Sequence, residues 1–162
     1  MPKRDELLAS YLNDHLLGAT GGLELFRRAA RSHRGGPLEP ELQQLAREID
    51  QDRAALLGIM RALGLPVRPG KVWLGWAVEK VGRLKPNGTL VQRSALSSVV
   101  ELEAMTLGVA GKAAGWRVLH ALAGRDDRLD AEQIEGLLAR ATSQQETLER
   151  LRMAAAVAAL QP

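Results

Sequence analysis

Apolar residues recur at alternating intervals of three and four along four long stretches of this chain, and that spacing admits little besides helices packed at shallow angles. In the first stretch Leu8, Leu12, Leu16, Ala19, Leu23, Phe26 and Ala30 fall on one narrow stripe of a helical wheel. Leu38, Leu42, Leu45, Ile49, Leu56, Ile59 and Leu63 do the same in the second, and Ile134, Leu137, Ala141, Leu148, Leu151 and Ala155 in the fourth. The third stretch offers Leu96, Val99, Val100, Leu107, Ala110, Ala114, Val118 and Ala121 as its core stripe. Beside it runs a second apolar face of Leu102, Met105, Val109, Ala113 and Trp116. A helix that is apolar nearly all round is covered on more than one side.

Proline and glycine set the boundaries. Gly35-Gly36-Pro37 separates the first two stretches, and Gly64-Leu65-Pro66 through Pro69-Gly70 ends the second. Pro86-Asn87-Gly88 reads as a turn, and no proline interrupts Thr89 to Gln161, where only Gly124 with Arg125-Asp126-Asp127 suggests a break. The predicted helices span roughly 5–33, 39–63, 94–123 and 130–158, with Asp130 capping the fourth and Ser94 the third, where Ser97 and Ser98 are competing starts. Two tight turns and a connection over 65–93 predict an all-α four-helix bundle in a single domain of 162 residues. It consists of two antiparallel helical hairpins joined by a long crossover, with the hairpin turns at opposite ends. Within the crossover Lys71 to Arg83 reads as a short amphipathic helix. The composition agrees: Ala and Leu dominate and the aromatic residues are only Tyr11, Phe26, Trp73, Trp76 and Trp116, whereas a sheet favours β-branched and aromatic side chains.

The second face of helix three predicts a docking surface in which Met105, Val109 and Trp116 receive Trp73 and Trp76 of the crossover. Its alternative is a homodimer through helix three or the crossover. Other partners are not expected. No stretch approaches the ~20 apolar residues that span a bilayer, and the net charge of +3 is spread rather than concentrated, so neither membrane nor nucleic acid is predicted. The cluster Arg27, Arg28, Arg31, His33 and Arg34 complements the negative end of helix one. Absent cysteine excludes disulfides, thiolate metal sites and cysteine nucleophiles, and with the charged N-terminus it predicts a cytoplasmic protein. Gly18-Ala19-Thr20-Gly21-Gly22 lies inside a helical pattern with no preceding strand, so it reads as small residues for close helix approach and not as a phosphate loop.

Polar residues break the apolar stripes at a few positions. Asp52, Glu103 and Gln144 lie near stripe centres, Arg117 slightly off centre, and His15 and Glu48 on the flanks. A buried charge requires a partner. Counting rise from the hairpin turns pairs Asp52 with Arg117 as a core ion pair that fixes register, with His15 nearby, and leaves Glu103 to another partner. The alternative is a carboxylate–histidine group serving a metal or a proton transfer.

Four helices in two hairpins, a long crossover and inward acids resemble the ferritin-like superfamily along the whole chain. In particular, Tyr11-Leu12-Asn13-Asp14-His15-Leu16, Glu48-Ile49-Asp50-Gln51-Asp52-Arg53, Lys80-Val81-Gly82-Arg83-Leu84-Lys85 and Val100-Glu101-Leu102-Glu103-Ala104 resemble an uncharacterised bacterial ferritin-like family. Di-iron members of the superfamily use a Glu from each of two helices and a Glu-x-x-His pair from each of the other two. Here Glu48 is followed three residues on by Gln51, Gln145 by Leu148 and Glu146 by Glu149, and none of His15, His33 and His120 stands in such a pair. The resemblance thus implies the fold without di-iron chemistry, and no cofactor is expected. The predicted function is a non-enzymatic structural or protein-interaction module. The alternative is a metal- or small-ligand-binding bundle whose candidate ligands are His15, Glu48, Asp52 and Glu103.

Overall fold

A computed structural model describes residues 3–68 and 95–161. Four helices make up the described residues: α1 (Lys3–Ser32), α2 (Glu39–Ala62), α3 (Ala95–Ala123) and α4 (Ala131–Leu160), with no strand among them. None of the described helices is long and apolar enough to cross a membrane.

Local chemistry sets the helix ends. The Asp130 side chain accepts from the Gln133 backbone N–H at 3.1 Å, satisfying one of the free donors in the first turn of α4. Pro40 in the first turn of α2 sacrifices no intrahelical bond there. At the end of α2, Gly64 takes a φ of +67°, a region that favours glycine. That lets Gly64 N–H reach the Arg61 carbonyl at 3.0 Å and Leu65 N–H the Met60 carbonyl at 2.9 Å. Leu65 and Met60 are both buried there, completing a Schellman stop. Ser94, the expected cap of the third helix, lies outside the described residues, as do the short helix expected over Lys71–Arg83 and the docking residues Trp73 and Trp76.

Helix directions follow from the contacts between helix ends. Arg4 at the start of α1 meets Asp126 just after α3 at 3.3 Å, and His33 just after α1 meets Glu101 near the start of α3 at 3.8 Å, so α1 and α3 are antiparallel. Arg150 pairs with Glu41 while Arg140 bonds Asp52, so α2 and α4 are antiparallel too. Arg128 in the α3–α4 turn donates to the Leu63 carbonyl at 2.9 Å and lies 3.5 Å from Asp5. The α3–α4 turn thus sits beside the end of α2, at the opposite end of the bundle from the α1–α2 turn.

Three helices bury the stripes their spacing predicts. In α1, Leu8, Leu12, Leu16, Leu23, Phe26 and Ala30 are buried and Ala19 partly so; in α2 and α4 the predicted leucines and isoleucines are likewise buried, save partly buried Leu38. Helix α3 is turned the other way. Its core face is Leu102, Met105, Val109, Ala113, Trp116 and Leu119, with Val99, whereas Leu96, Val100, Leu107 and Val118 of the expected core stripe are exposed. The expected docking face, including Met105, Val109 and Trp116, is therefore the interior of the bundle. Two physical differences favour this rotation. The inward face carries the bulkier side chains and so removes more apolar surface from water. It also brings Lys112 to the Asp52 carboxylate of α2.

Candidate functional site

A polar network crosses the middle of the bundle. Glu48 and Asp52 stand four residues apart on α2, on one helix face. Asp52 is only 2% exposed. Its Oδ1 accepts from Arg140 Nε of α4 at 2.7 Å, and its Oδ2 accepts from Lys112 Nζ of α3 and from Gln144 Nε2 of α4, the latter at 3.2 Å. Lys112 also donates to Gln144 Oε1. The same Gln144 Nε2 reaches Glu48 Oε2 at 3.1 Å, while Gln44 Nε2 holds Glu48 Oε1 at 2.8 Å. Two carboxylates, one ammonium and one guanidinium thus balance in charge around a fully buried amide. Burial pushes the Lys112 ammonium below its ordinary value, and the neighbouring Asp52 carboxylate pulls against that shift.

Beside this network a groove of about 820 Å³ opens between α1 and α3. Asp52 and Lys112 line it, together with Leu12, Phe26 and Met105. The groove exists because side chains are missing. Gly18, Gly21 and Gly22 line it from α1, Gly108 and Gly111 from α3, and a Cβ at any of the five would meet nothing within 4 Å. Gly115 differs: a Cβ there would come within 2.9 Å of the His15 ring, so the imidazole rests directly on the α3 backbone. Tyr11 meets the same ring edge-on, with centroids 4.6 Å apart. Burial lowers the His15 pKa from 6.5 against the opposing effect of Asp14, favouring the neutral ring. Trp116 also lines the groove, and its indole N–H is buried without a hydrogen-bond partner.

The predicted site residues are only partly brought together. Asp52 and Gln144 are buried as expected, and Glu48 joins them through Gln144. His15 reaches the groove from α1. Glu103 faces outward, 3.6 Å from Arg152. Arg117 is exposed, so the expected Asp52–Arg117 pair is replaced by Lys112 and Arg140, because the rotation of α3 carries Arg117 away from the core. The four metal candidates do not converge, and among the described residues no group of three or more His, Asp or Glu side chains is placed to hold a metal ion. The residues do not fit a di-iron centre: the Asp52 oxygens already accept from an ammonium and a guanidinium, and Glu103 lies on the opposite face of its helix.

Sequence reasoning missed Lys112 and Arg140. Lys112 does have a signal: it continues the line Met105, Val109, Trp116 at helical spacing, and becomes a core-facing cation once that line is taken as the seam. A second cluster was also missed, at the far end of the bundle. There Arg128 makes paired bonds of 2.8 and 2.7 Å to Asp126, which is 7% exposed, and holds its carboxyl down to about 2. The basic residues late in α1 are partly neutralised, with Arg27 meeting Glu24 and Asp50 and Arg28 meeting Glu101. No protein-family model matches the chain, and neither does any curated protein or solved structure compared with it.

Proposed function

We propose that this chain is a non-enzymatic binding protein on a ferritin-like plan without a di-iron centre, and that the groove between α1 and α3 takes a small apolar ligand. The observation that carries this reading is the groove itself. Its volume of about 820 Å³ falls within the ~300–1,000 Å³ range of small-molecule sites. Its lining combines apolar side chains and bare glycine backbone with a few polar groups, His15 and the Lys112–Asp52 pair, on its walls. That combination buries an apolar body and orients a polar end. A metal-binding reading has less support, since the acids of α2 are already paired with cations. The opposite placement of the two turns supports the two-hairpin part of that plan.

The test is a titration of the full chain with a fluorescent apolar probe such as a short-chain fatty-acid analogue, followed through Trp116. Saturable binding is expected, and Gly22→Leu, which fills the groove while favouring the helix, should abolish it with helicity retained. The reading fails if the unmodified chain shows no saturable binding, or if Gly22→Leu binds the probe equally well. Binding that emerges only in a Trp73→Ala/Trp76→Ala chain would also overturn it, because the groove would then belong to the chain's own residues.

A further inference from the structure

The exposed face of α3 carries a second, complete heptad seam. Leu96, Val100, Glu103, Leu107, Ala110, Ala114, Arg117 and Ala121 succeed one another at intervals that alternate strictly between four and three. All are exposed except Ala110, which is partly so, and Leu107 reaches 75% exposure. The seam runs ~38 Å along the helix axis. Glu103 and Arg117 are its only charged positions. Solvent-facing helix surfaces are ordinarily polar, and an apolar stripe of this length and period matches a coiled-coil contact.

The seam is complementary to itself. Laid antiparallel about a two-fold axis between Gly108 and Val109, it forms layers of Leu107 with Ala110, Glu103 with Ala114, Val100 with Arg117 and Leu96 with Ala121. Each layer sets a larger side chain against a smaller one, apart from the Val100–Arg117 layer, in which the arginine stem covers the valine. In that register Glu103 of one copy and Arg117 of the other are three residues apart along the axis, ~4.5 Å, within reach of an ion pair. A two-fold axis repeats every such contact, so the pair occurs twice. Glu103 is already paired with Arg152 of its own chain, yet its side chain remains 51% exposed and open to a second cation.

We infer that α3 is the homodimer interface of this protein, with the partner a second copy of the same chain joined by an antiparallel α3–α3 coiled coil. This goes beyond ligand binding in the groove, with which the seam shares Leu107, and it is read from the oligomeric state without any probe. Sedimentation equilibrium on the full chain should show a dimer. Arg117→Glu and Glu103→Arg should each weaken it tenfold or more by placing like charges together, and the double swap Glu103→Arg/Arg117→Glu should restore it. Circular dichroism checks that each variant keeps its helicity. A second measurement does not depend on the charge variants. The chain lacks cysteine, so Ala110→Cys beside the two-fold axis should cross-link to itself under oxidation. Ala121→Cys, ~37 Å along the axis from the facing Ala121, should not. A monomer at every concentration overturns the inference, as do a dimer indifferent to the charge swaps and equal cross-linking at both cysteines. A face covered by the chain's own residues 69–94 or by a small ligand would produce the first of these outcomes.

Discussion

The two sides of α3 form the sharpest contrast in the molecule. The inner side carries Trp116, Met105, Leu102 and Leu119, all nearly inaccessible, and one cation, Lys112, that is fully engaged with Asp52 and Gln144. The outer side carries Leu96, Val100, Leu107 and Val118 in water, with smaller residues between them. Both sides are apolar at helical period, yet only one is core. Helices α1 and α2 offer no such choice, since the faces opposite their stripes are largely polar, and on α4 the exposed apolar residues Met153, Val157 and Leu160 are confined to its last turns. Volume and charge decide which side of α3 turns in, and apolarity alone does not.

The largest expected effect tests that ranking directly. Trp116→Ala should cost about 3–5 kcal/mol of folding stability by leaving a large cavity in the core. Leu107→Ala, on the outer side, should change the stability of the isolated chain by less than ~0.5 kcal/mol. Urea denaturation of both variants, at concentrations low enough to keep the chain monomeric, measures the difference; equal losses would mean that the two faces are not distinguished in this way. Loss of the buried charges is next in size. Asp52→Ala should cost about 3–5 kcal/mol because it strands Lys112 and Arg140 together without their shared acid. Lys112→Met should cost less, about 1–3 kcal/mol, since Asp52 keeps Arg140 and Gln144. If Lys112→Met proved the more damaging of the two, the ammonium rather than the carboxylate would be the organising charge.

The smallest expected effect lies at the end of the bundle, where α3 meets its turn. The Asp126 carboxyl is held near 2 by Arg128, against an ordinary 3.8. A carboxyl with a lowered folded-state pKa binds fewer protons folded than unfolded over that interval. Its stabilisation is therefore complete above about pH 4 and disappears as pH falls towards 2. Asp126→Asn should flatten the acid limb of the stability–pH curve in that window and leave the shape near pH 7 unchanged. An unaltered acid limb would remove Asp126 as its source. His15 contributes in a different range: with its pKa depressed below 6.5, stability is lost as pH falls below that value, so the two groups are separable in one titration.

The sequence by itself determined the four long helices, the stop at Gly64, the cap at Asp130 and the buried stripes of α1, α2 and α4. Those features are local or depend on a single amphipathic period, so each helix carries its own answer. It also singled out Asp52 and Gln144, because a polar residue at the centre of an apolar stripe is visible without any partner. What only the tertiary structure decided was the rotation of α3 and everything that follows from it. A helix with two apolar seams has no preferred face until it meets its neighbours, and here the acids of α2 select the face that brings a lysine. That one choice replaced Arg117 with Lys112 as the partner of Asp52, moved Glu103 out of the core and left a heptad seam facing solvent. The groove between α1 and α3 arose the same way, since glycines spaced far apart in the chain become a cavity only where two helices set them against each other.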